Sequence, residues 1–90
     1  MRKIRARRIP ISAVKVGELE YSVIIRDIFN YNGDVVGEIY GVGIKSQDGF
    51  AEIHDLTTHW SSIYQFAEKL RENTVTPVTL RDVVYDSLPL

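Results

Sequence analysis

The amino-acid sequence predicts an α+β domain, with a three-stranded antiparallel β-meander followed by two helices on one face. Two turn signals, Asn32-Gly33 and Asp48-Gly49, separate three β-rich segments, and no crossover segment lies between them. Beyond His54 the spacing of apolar residues changes from a period of two to a period of 3.6. Strands followed by helices, without alternation, are typical of this fold class.

The two strands of the first hairpin are predicted at residues 18–29 and 35–45, around a two-residue Asn-Gly loop. Asn-Gly favours a type I′ turn, which needs positive φ at both central residues and fixes the register of the strands. In that register the bulky apolar side chains meet on one face of the sheet. The predicted pairs are Phe29–Val36, Ile25–Tyr40, Val23–Val42 and Tyr21–Ile44.

The third strand is predicted to follow Asp48-Gly49, which pairs Ile44 with Ile53 and Lys45 with Glu52. Residues 35–45 thereby become the middle strand of the meander. Residues 9–16 alternate weakly and could add a fourth, N-terminal edge strand.

The second face of this sheet is expected to be nearly bare, because its middle strand is rich in glycine. The predicted binding surface consists of Ile24, Ile28, Gly37, Ile39, Gly41 and Gly43. Glycine inside a strand suggests that another backbone or a flat side chain comes close. Burying one isoleucine is worth about 1.5–3 kcal/mol, so we expect this face to be covered by residues 9–16 or by a second molecule.

Two helices are predicted after the strands. Thr57 or Thr58 can cap the first, which ends near Asn73, and Thr79 with Asp82 resembles a capping box for the second. The inward positions are Ile63, Phe66, Ala67 and Leu70 in the first helix and Leu80, Val83, Val84 and Leu88 in the second. Trp60, in the first turn of the first helix, is a candidate anchor for a partner; the alternative is that it closes the edge of the core.

The chain of 90 residues has the composition of one soluble globular domain, with 44% hydrophobic and 26% charged residues. It contains no cysteine, which excludes a disulfide framework, a thiolate zinc site and a cysteine nucleophile. No apolar segment approaches the length of a membrane-spanning helix, and residues 9–16 are too short for a signal peptide. We expect a cytoplasmic protein, with a domain at residues 18–90 preceded by a basic arm at 1–17.

The net charge of −1 conceals an uneven distribution. Five of the eleven basic residues lie in the first eight positions, whereas the rest of the chain carries six basic and twelve acidic residues. The basic arm consists of Arg2, Lys3, Arg5, Arg7 and Arg8. Such an arm could bind an external polyanion, such as nucleic acid, or the protein's own acidic surface.

Two groups of polar residues are candidates for chemistry. Asp27 and Glu38 face each other in the predicted register, where they could share a proton or hold a cation. The alternatives are that they are solvated, that they pair with a basic residue of a helix, or that a bulge turns one of them away.

Glu52, His54, Asp55 and His59 lie near the junction of the last strand with the first helix. Such residues can bind metal, but His54 and Asp55 should point to opposite faces and the histidines lack the i, i+4 spacing of a helical site. Gly41-Val-Gly43 lies inside a strand and lacks a third glycine, which argues against a nucleotide site. We therefore assign no catalytic residue, metal or cofactor.

Part of the chain resembles a known family. The segment from Pro77 to Asp86 (Pro-Val-Thr-Leu-Arg-Asp-Val-Val-Tyr-Asp), the segment Ile53-His-Asp-Leu-Thr57 and the strand segment Tyr40-Gly-Val42 are similar to a family of small uncharacterised proteins of Firmicute-type bacteria. The resemblance covers about residues 20–88. It implies a fold and a bacterial cytoplasmic setting, and it implies no catalytic residues.

These observations lead us to expect a non-enzymatic protein-interaction or regulatory module, with a protein partner or a second copy bound at the glycine-rich face. The alternative is nucleic-acid binding through the basic arm, although the acidic body opposes it and the arm has no aromatic residue for stacking. A third possibility is a small acid-base or metal-dependent enzyme that uses Asp27 with Glu38 or the residues around His54.

Overall fold

The computed structural model describes residues 6–11 and 18–90, and it confirms the α+β class. Four antiparallel strands form one sheet in the order β1-β2-β3-β4, and two helices follow. The strands are β1 (Arg7–Pro10), β2 (Glu20–Phe29), β3 (Val35–Ser46) and β4 (Gly49–Thr57), and the helices are α1 (Trp60–Glu72) and α2 (Leu80–Ser87). The possible edge strand is therefore present, at Arg7–Pro10, and residues 12–16 of its predicted range lie outside the described residues.

The predicted register of the first hairpin is confirmed from Glu20–Lys45 to Ile28–Gly37. The loop differs from the prediction, because Asn30 N–H donates to the Asp34 carbonyl and encloses three residues, of which only Gly33 has positive φ. A bulge next to Ile28 then inserts one residue, so that Phe29 pairs with Val35 and the predicted Phe29–Val36 pair is wrong. The bulge offsets the extra loop residue, and the inner register is restored.

The predicted register between β3 and β4 is wrong by two residues. The loop is Gln47-Asp48, not Asp48-Gly49. The observed pairs are Ser46–Gly49, Lys45–Phe50, Ile44–Ala51, Gly43–Glu52 and Val42–Ile53. Because side chains alternate with a period of two, a shift of two residues leaves each side chain up to Ile53 on its predicted face.

Further along, β4 bulges away from regular pairing. Val42 pairs with Ile53 but Tyr40 pairs with Thr57, so β4 has two additional residues opposite Gly41, and Asp55 within this bulge has a φ of 61°. A Cβ atom added to Gly41 would lie 2.8 Å from the His54 Cα and closer still to the Ile53 carbonyl oxygen. At Gly41, the backbone that the glycines led us to expect is therefore that of β4, within the same sheet, whereas the atoms nearest Gly37 and Gly43 belong to side chains.

The core lies between the sheet and the two helices, on the predicted bulky face. It consists of Tyr21, Val23, Ile25, Tyr40, Val42, Ile44, Ile63, Phe66, Ala67, Leu70, Leu80 and Val84. The four inward positions predicted for α1 are all buried, whereas Leu88 is exposed because α2 ends at Ser87. The Tyr21 hydroxyl donates to the Val75 carbonyl at 2.8 Å, which joins β2 to the connection between the helices.

The helix ends differ in detail from the predicted caps. His59 occupies the N-cap of α1, while the Thr57 hydroxyl oxygen accepts the His59 N–H at 3.1 Å. Thr79 is the N-cap of α2, but its side chain makes no capping hydrogen bond, so the predicted capping box is not formed. The C-cap of α1 is Asn73, as predicted.

Candidate interaction surface

The part of the basic arm that the structure describes, Arg7 and Arg8, lies in β1 and is part of the sheet. In β1, Arg7 lies opposite Ile25 and Arg8 lies opposite Ile24 of β2. Because successive residues of a strand point to opposite faces, the two arginines reach different sides of the sheet. Arg7 lies on the helix side, and Arg8 lies on the glycine-rich side.

Arg7 binds the facing carboxylates of Asp27 and Glu38. Its Nη2 donates to Asp27 Oδ1 at 3.0 Å and to Glu38 Oε2 in a shorter contact, and the Tyr40 hydroxyl donates to Glu38 Oε1 at 3.2 Å. The hydrogen bond to Glu38 and the nearby charges raise the pKa of Arg7. Burial, followed by the Glu38 hydrogen bond, raises the pKa of Tyr40. The carboxylates are thus paired, with a basic residue that comes from the arm and not from a helix.

Arg8 extends over the glycine-rich face to Glu52 on β4. Its Nη2 donates to Glu52 Oε1 at 2.7 Å, and its Nε donates to Oε2 in a shorter contact. This bidentate hydrogen bonding, with a smaller contribution from His54, lowers the pKa of Glu52. A Cβ at Gly43 would lie 3.3 Å from the Glu52 Cγ and 3.1 Å from the Ile24 Cδ1, so glycine makes room for both side chains.

A second ion pair lies on the same face. Arg26 Nε donates to Asp55 Oδ1 at 3.0 Å, and Arg26 Nη2 donates to Asp55 Oδ2. The prediction that Asp55 points to the face opposite His54 is wrong, because the bulge in β4 turns its side chain towards Arg26.

Of residues 9–16, which were predicted to cover the glycine-rich face, the structure describes Ile9, Pro10 and Ile11, and of these Pro10, opposite Ser22, lies on that face. Ile9 pairs with Val23, and Ile11 packs against the core, so both lie on the helix side. Ile24 is nevertheless only 1% exposed. The side chain of Glu52, which binds Arg8, lies next to that of Ile24 above Gly43.

The outer part of the β2–β3 hairpin differs from its inner part. Residues 21–25 and 40–44 are almost all buried, whereas residues 26–39 include no buried residue. We define the hairpin end as Ile28, Tyr31, Val35, Val36, Gly37 and Ile39. Tyr31 is fully exposed, and Val35 and Val36 are 57% and 60% exposed.

The residues of the predicted binding surface therefore fall into two separate groups. Ile28 and Gly37 are paired and lie with Ile39 at the hairpin end, where all three are partly exposed. Ile24, Gly41 and Gly43 instead lie in the half next to the ion pairs and the β4 bulge. The sequence interpretation missed Tyr31, Val35 and Val36, although an aromatic residue in the loop and two successive valines beside it were a visible signal.

Trp60 lies at the edge of the core and is partly exposed. Its ring packs edge-on against Tyr40, with centroids 5.4 Å apart, and lies 5.9 Å from the ring of Tyr64, one helical turn later. It is nevertheless 42% exposed, and Tyr64 is similarly exposed. Trp60 therefore closes the edge of the core with one part of its ring system and presents the other part to solvent.

Among the described residues, neither a metal site nor a membrane-spanning helix is found. Residues 6–11 and 18–90 contain no group of three histidine, aspartate or glutamate side chains placed to hold a metal ion. Of the residues considered for metal binding, His54 contacts Glu52, with 3.2 Å between Nε2 and Oε1. Neither of the two described helices has the length and apolarity needed to cross a membrane.

The family model for DUF6514, described as a family of unknown function, matches residues 4–89. The chain belongs to the DUF6514 family. No curated protein and no solved structure matches it significantly. The predicted membership of an uncharacterised family is thus confirmed.

The DUF6514 match also extends the resemblance seen in the sequence. That resemblance began near residue 20, whereas the family model includes Arg7, Arg8 and the whole of β1. The strand that carries the two ion-paired arginines is therefore part of the region that defines the family.

Proposed function

We propose that this DUF6514 protein is a non-enzymatic protein-interaction module that binds a protein partner through the hairpin end. The observation that carries this proposal is the absence of buried residues between 26 and 39, in a hairpin whose inner residues, 21–25 and 40–44, are almost all buried. Neighbouring exposed apolar side chains are typical of interaction surfaces. In keeping with the sequence resemblance, we place the module in the bacterial cytoplasm.

The hairpin end is also well suited to binding because its base is held rigidly. β2 and β3 are paired over most of their length, and the inner part of the hairpin is packed beneath α1. The Asn30 side chain accepts the backbone N–H groups of Asn32 and Asp34, both at 2.9 Å, which orders the loop. A preorganised surface loses less conformational entropy on association than a flexible one.

The two alternative functions have less support. Binding of nucleic acid through Arg7 and Arg8 would require phosphates to displace carboxylates that already hold both guanidinium groups. An acid-base enzyme would need Asp27 and Glu38 for proton transfer, but both are engaged with Arg7.

Site-specific photo-crosslinking in the native host tests the proposal. A photoreactive residue at Val36 should capture a partner that the same residue at Glu72, exposed at the end of α1, does not capture. The captured protein is then purified and titrated against the full chain. We expect Ile39→Lys to weaken that binding by about tenfold or more, since a buried charge replaces an apolar contact.

Two results would refute the proposal. One is equal capture at the two positions, and the other is unchanged affinity of the purified partner for the Ile39→Lys variant. If the captured partner is a second copy of the chain, the same variant should lower the molecular mass measured in solution.

A further inference from the structure

We infer that the partner presents an arginine-bearing basic segment to the helix side of the hairpin end. There, the partly exposed side chains of Asp27 and Glu38 are linked through the largely buried Tyr40 to Trp60 and Tyr64, and we call this group the aromatic-acidic corner. This inference rests on the proposed function and specifies the chemistry of the partner.

Contacts between neighbouring side chains connect the corner from one end to the other. Asp27 and Glu38 face each other across β2 and β3, and Glu38 is hydrogen bonded to the Tyr40 hydroxyl. The ring of Tyr40 packs against Trp60, and Trp60 packs against Tyr64. The acidic and aromatic parts are therefore neighbours, connected through Tyr40.

Both parts of the corner remain accessible. The side chains of Asp27 and Glu38 are 36% and 37% exposed even with Arg7 bound. Trp60 and Tyr64 keep a comparable fraction of their surface in solvent. Tryptophan, tyrosine and arginine are the residues most enriched among those that dominate binding energy at protein interfaces.

The charge of the corner selects a cation. Two carboxylates face the single positive charge of Arg7, which leaves a net charge of −1. Arg7 itself shows that a guanidinium group fits between the carboxylates, since its Nη2 contacts one oxygen of each. A planar guanidinium also stacks on aromatic rings and is more weakly hydrated than an ammonium group, so arginine is favoured over lysine.

Fluorescence titration provides a direct test, because Trp60 is the only tryptophan of the chain and lies in the corner. The probes are tetra-arginine amide, tetra-lysine amide and tetra-glutamate amide, each added to the full chain at low ionic strength. We expect a saturable change with tetra-arginine, weaker binding of tetra-lysine and no binding of tetra-glutamate.

Three variants locate the binding. Glu38→Gln removes one carboxylate and should weaken tetra-arginine binding about fivefold. Arg7→Ala removes the internal competitor and should strengthen binding by a similar factor. Asp86→Asn, on the exposed face of α2, is the matched control and should change the affinity little. Circular dichroism checks that each variant is folded, and Asp27→Asn replaces Glu38→Gln if that variant is not.

The inference is overturned if tetra-arginine gives no saturable change. It is also overturned if Glu38→Gln and Asp86→Asn weaken binding equally, which would indicate general attraction to an acidic protein. Either result would leave the proposed function standing if the crosslinked partner still lost affinity for Ile39→Lys. Unchanged partner affinity in that variant would instead refute the proposed function.

Discussion

Gly41 offers a quantitative test of the β4 bulge. In Gly41→Ala, the new Cβ would lie 2.8 Å from the His54 Cα and 3.0 Å from the Ile53 carbonyl carbon. These are backbone atoms, so relief requires a shift of the strand and not merely a change of side-chain rotamer. Such overpacking costs about 1–3 kcal/mol, and we expect a loss near the upper end. In a domain of this size that loss lowers the Tm by about 10 °C or more.

Gly37 provides the matched control, because it lies in the same strand and a Cβ there would be 3.9 Å from the Ile28 Cδ1, an ordinary contact. Gly37→Ala should leave stability unchanged or raise it by about 0.4–1 kcal/mol through the entropy of the unfolded chain. Urea unfolding of both variants, followed by circular dichroism, measures the difference. Equal stability of the two variants would show that the β4 backbone does not press against Gly41.

Three other measurements probe the core, the glycine-rich face and its ion pair. Ile63→Ala, at a fully buried position, should lower the free energy of unfolding by about 2–5 kcal/mol in urea titrations. Ile39→Lys should change stability by less than about 1 kcal/mol, since Ile39 is partly exposed, and a large loss at unchanged molecular mass would reveal intramolecular cover. The pKa of Glu52 is lowered in the folded state, so its stabilising contribution is present above 4.5 and is lost as the pH falls through the folded-state value. Arg8→Met should therefore be less stable than the wild type at neutral pH, and the difference should shrink on acidification.

The first hairpin was predictable because two independent signals agreed. Alternating side-chain size identified the paired faces, and Gly33 marked the turn. The loop itself was misassigned by one residue, since Asn30 closes a three-residue loop through its side chain. Because a bulge compensates for the extra loop residue, the side chains lie on their predicted faces and do not reveal the error.

The β3–β4 register shows the limit of such an argument. A shift of two residues preserves every face, so the apolar pattern cannot distinguish Ile44–Ile53 from the observed Ile44–Ala51. Only the turn residues could distinguish the two registers, and Asp48-Gly49 indicated the wrong loop. The ion pair of Asp55 could not be predicted from the apolar pattern either. It depends on the left-handed backbone of Asp55 within the β4 bulge, and the only sign of that bulge in the sequence is Gly41 on the neighbouring strand.

The charges of the arm could be counted from the sequence but not assigned. An external polyanion and the protein's own acidic surface were equally compatible with the basic cluster. Arg7 and Arg8 bind the protein's own carboxylates because β1 pairs with β2 in antiparallel orientation. That pairing joins residues far apart in the sequence. The remaining basic residues of the arm, Arg2, Lys3 and Arg5, lie outside the described residues.

The attachment of β1 has a consequence for how the sheet resists self-assembly. β1 is only four residues long and includes Pro10, which donates no hydrogen bond, yet it caps the edge of the ten-residue strand β2. The two arginines of β1 form exposed ion pairs on the two faces of the sheet, and these pairs help to hold β1 in place. Salt screens such exposed ion pairs. Rising ionic strength should therefore weaken the attachment of β1 to β2. Amide hydrogen exchange along β2 should then become faster, and the long edge of β2 should become available for edge-to-edge aggregation.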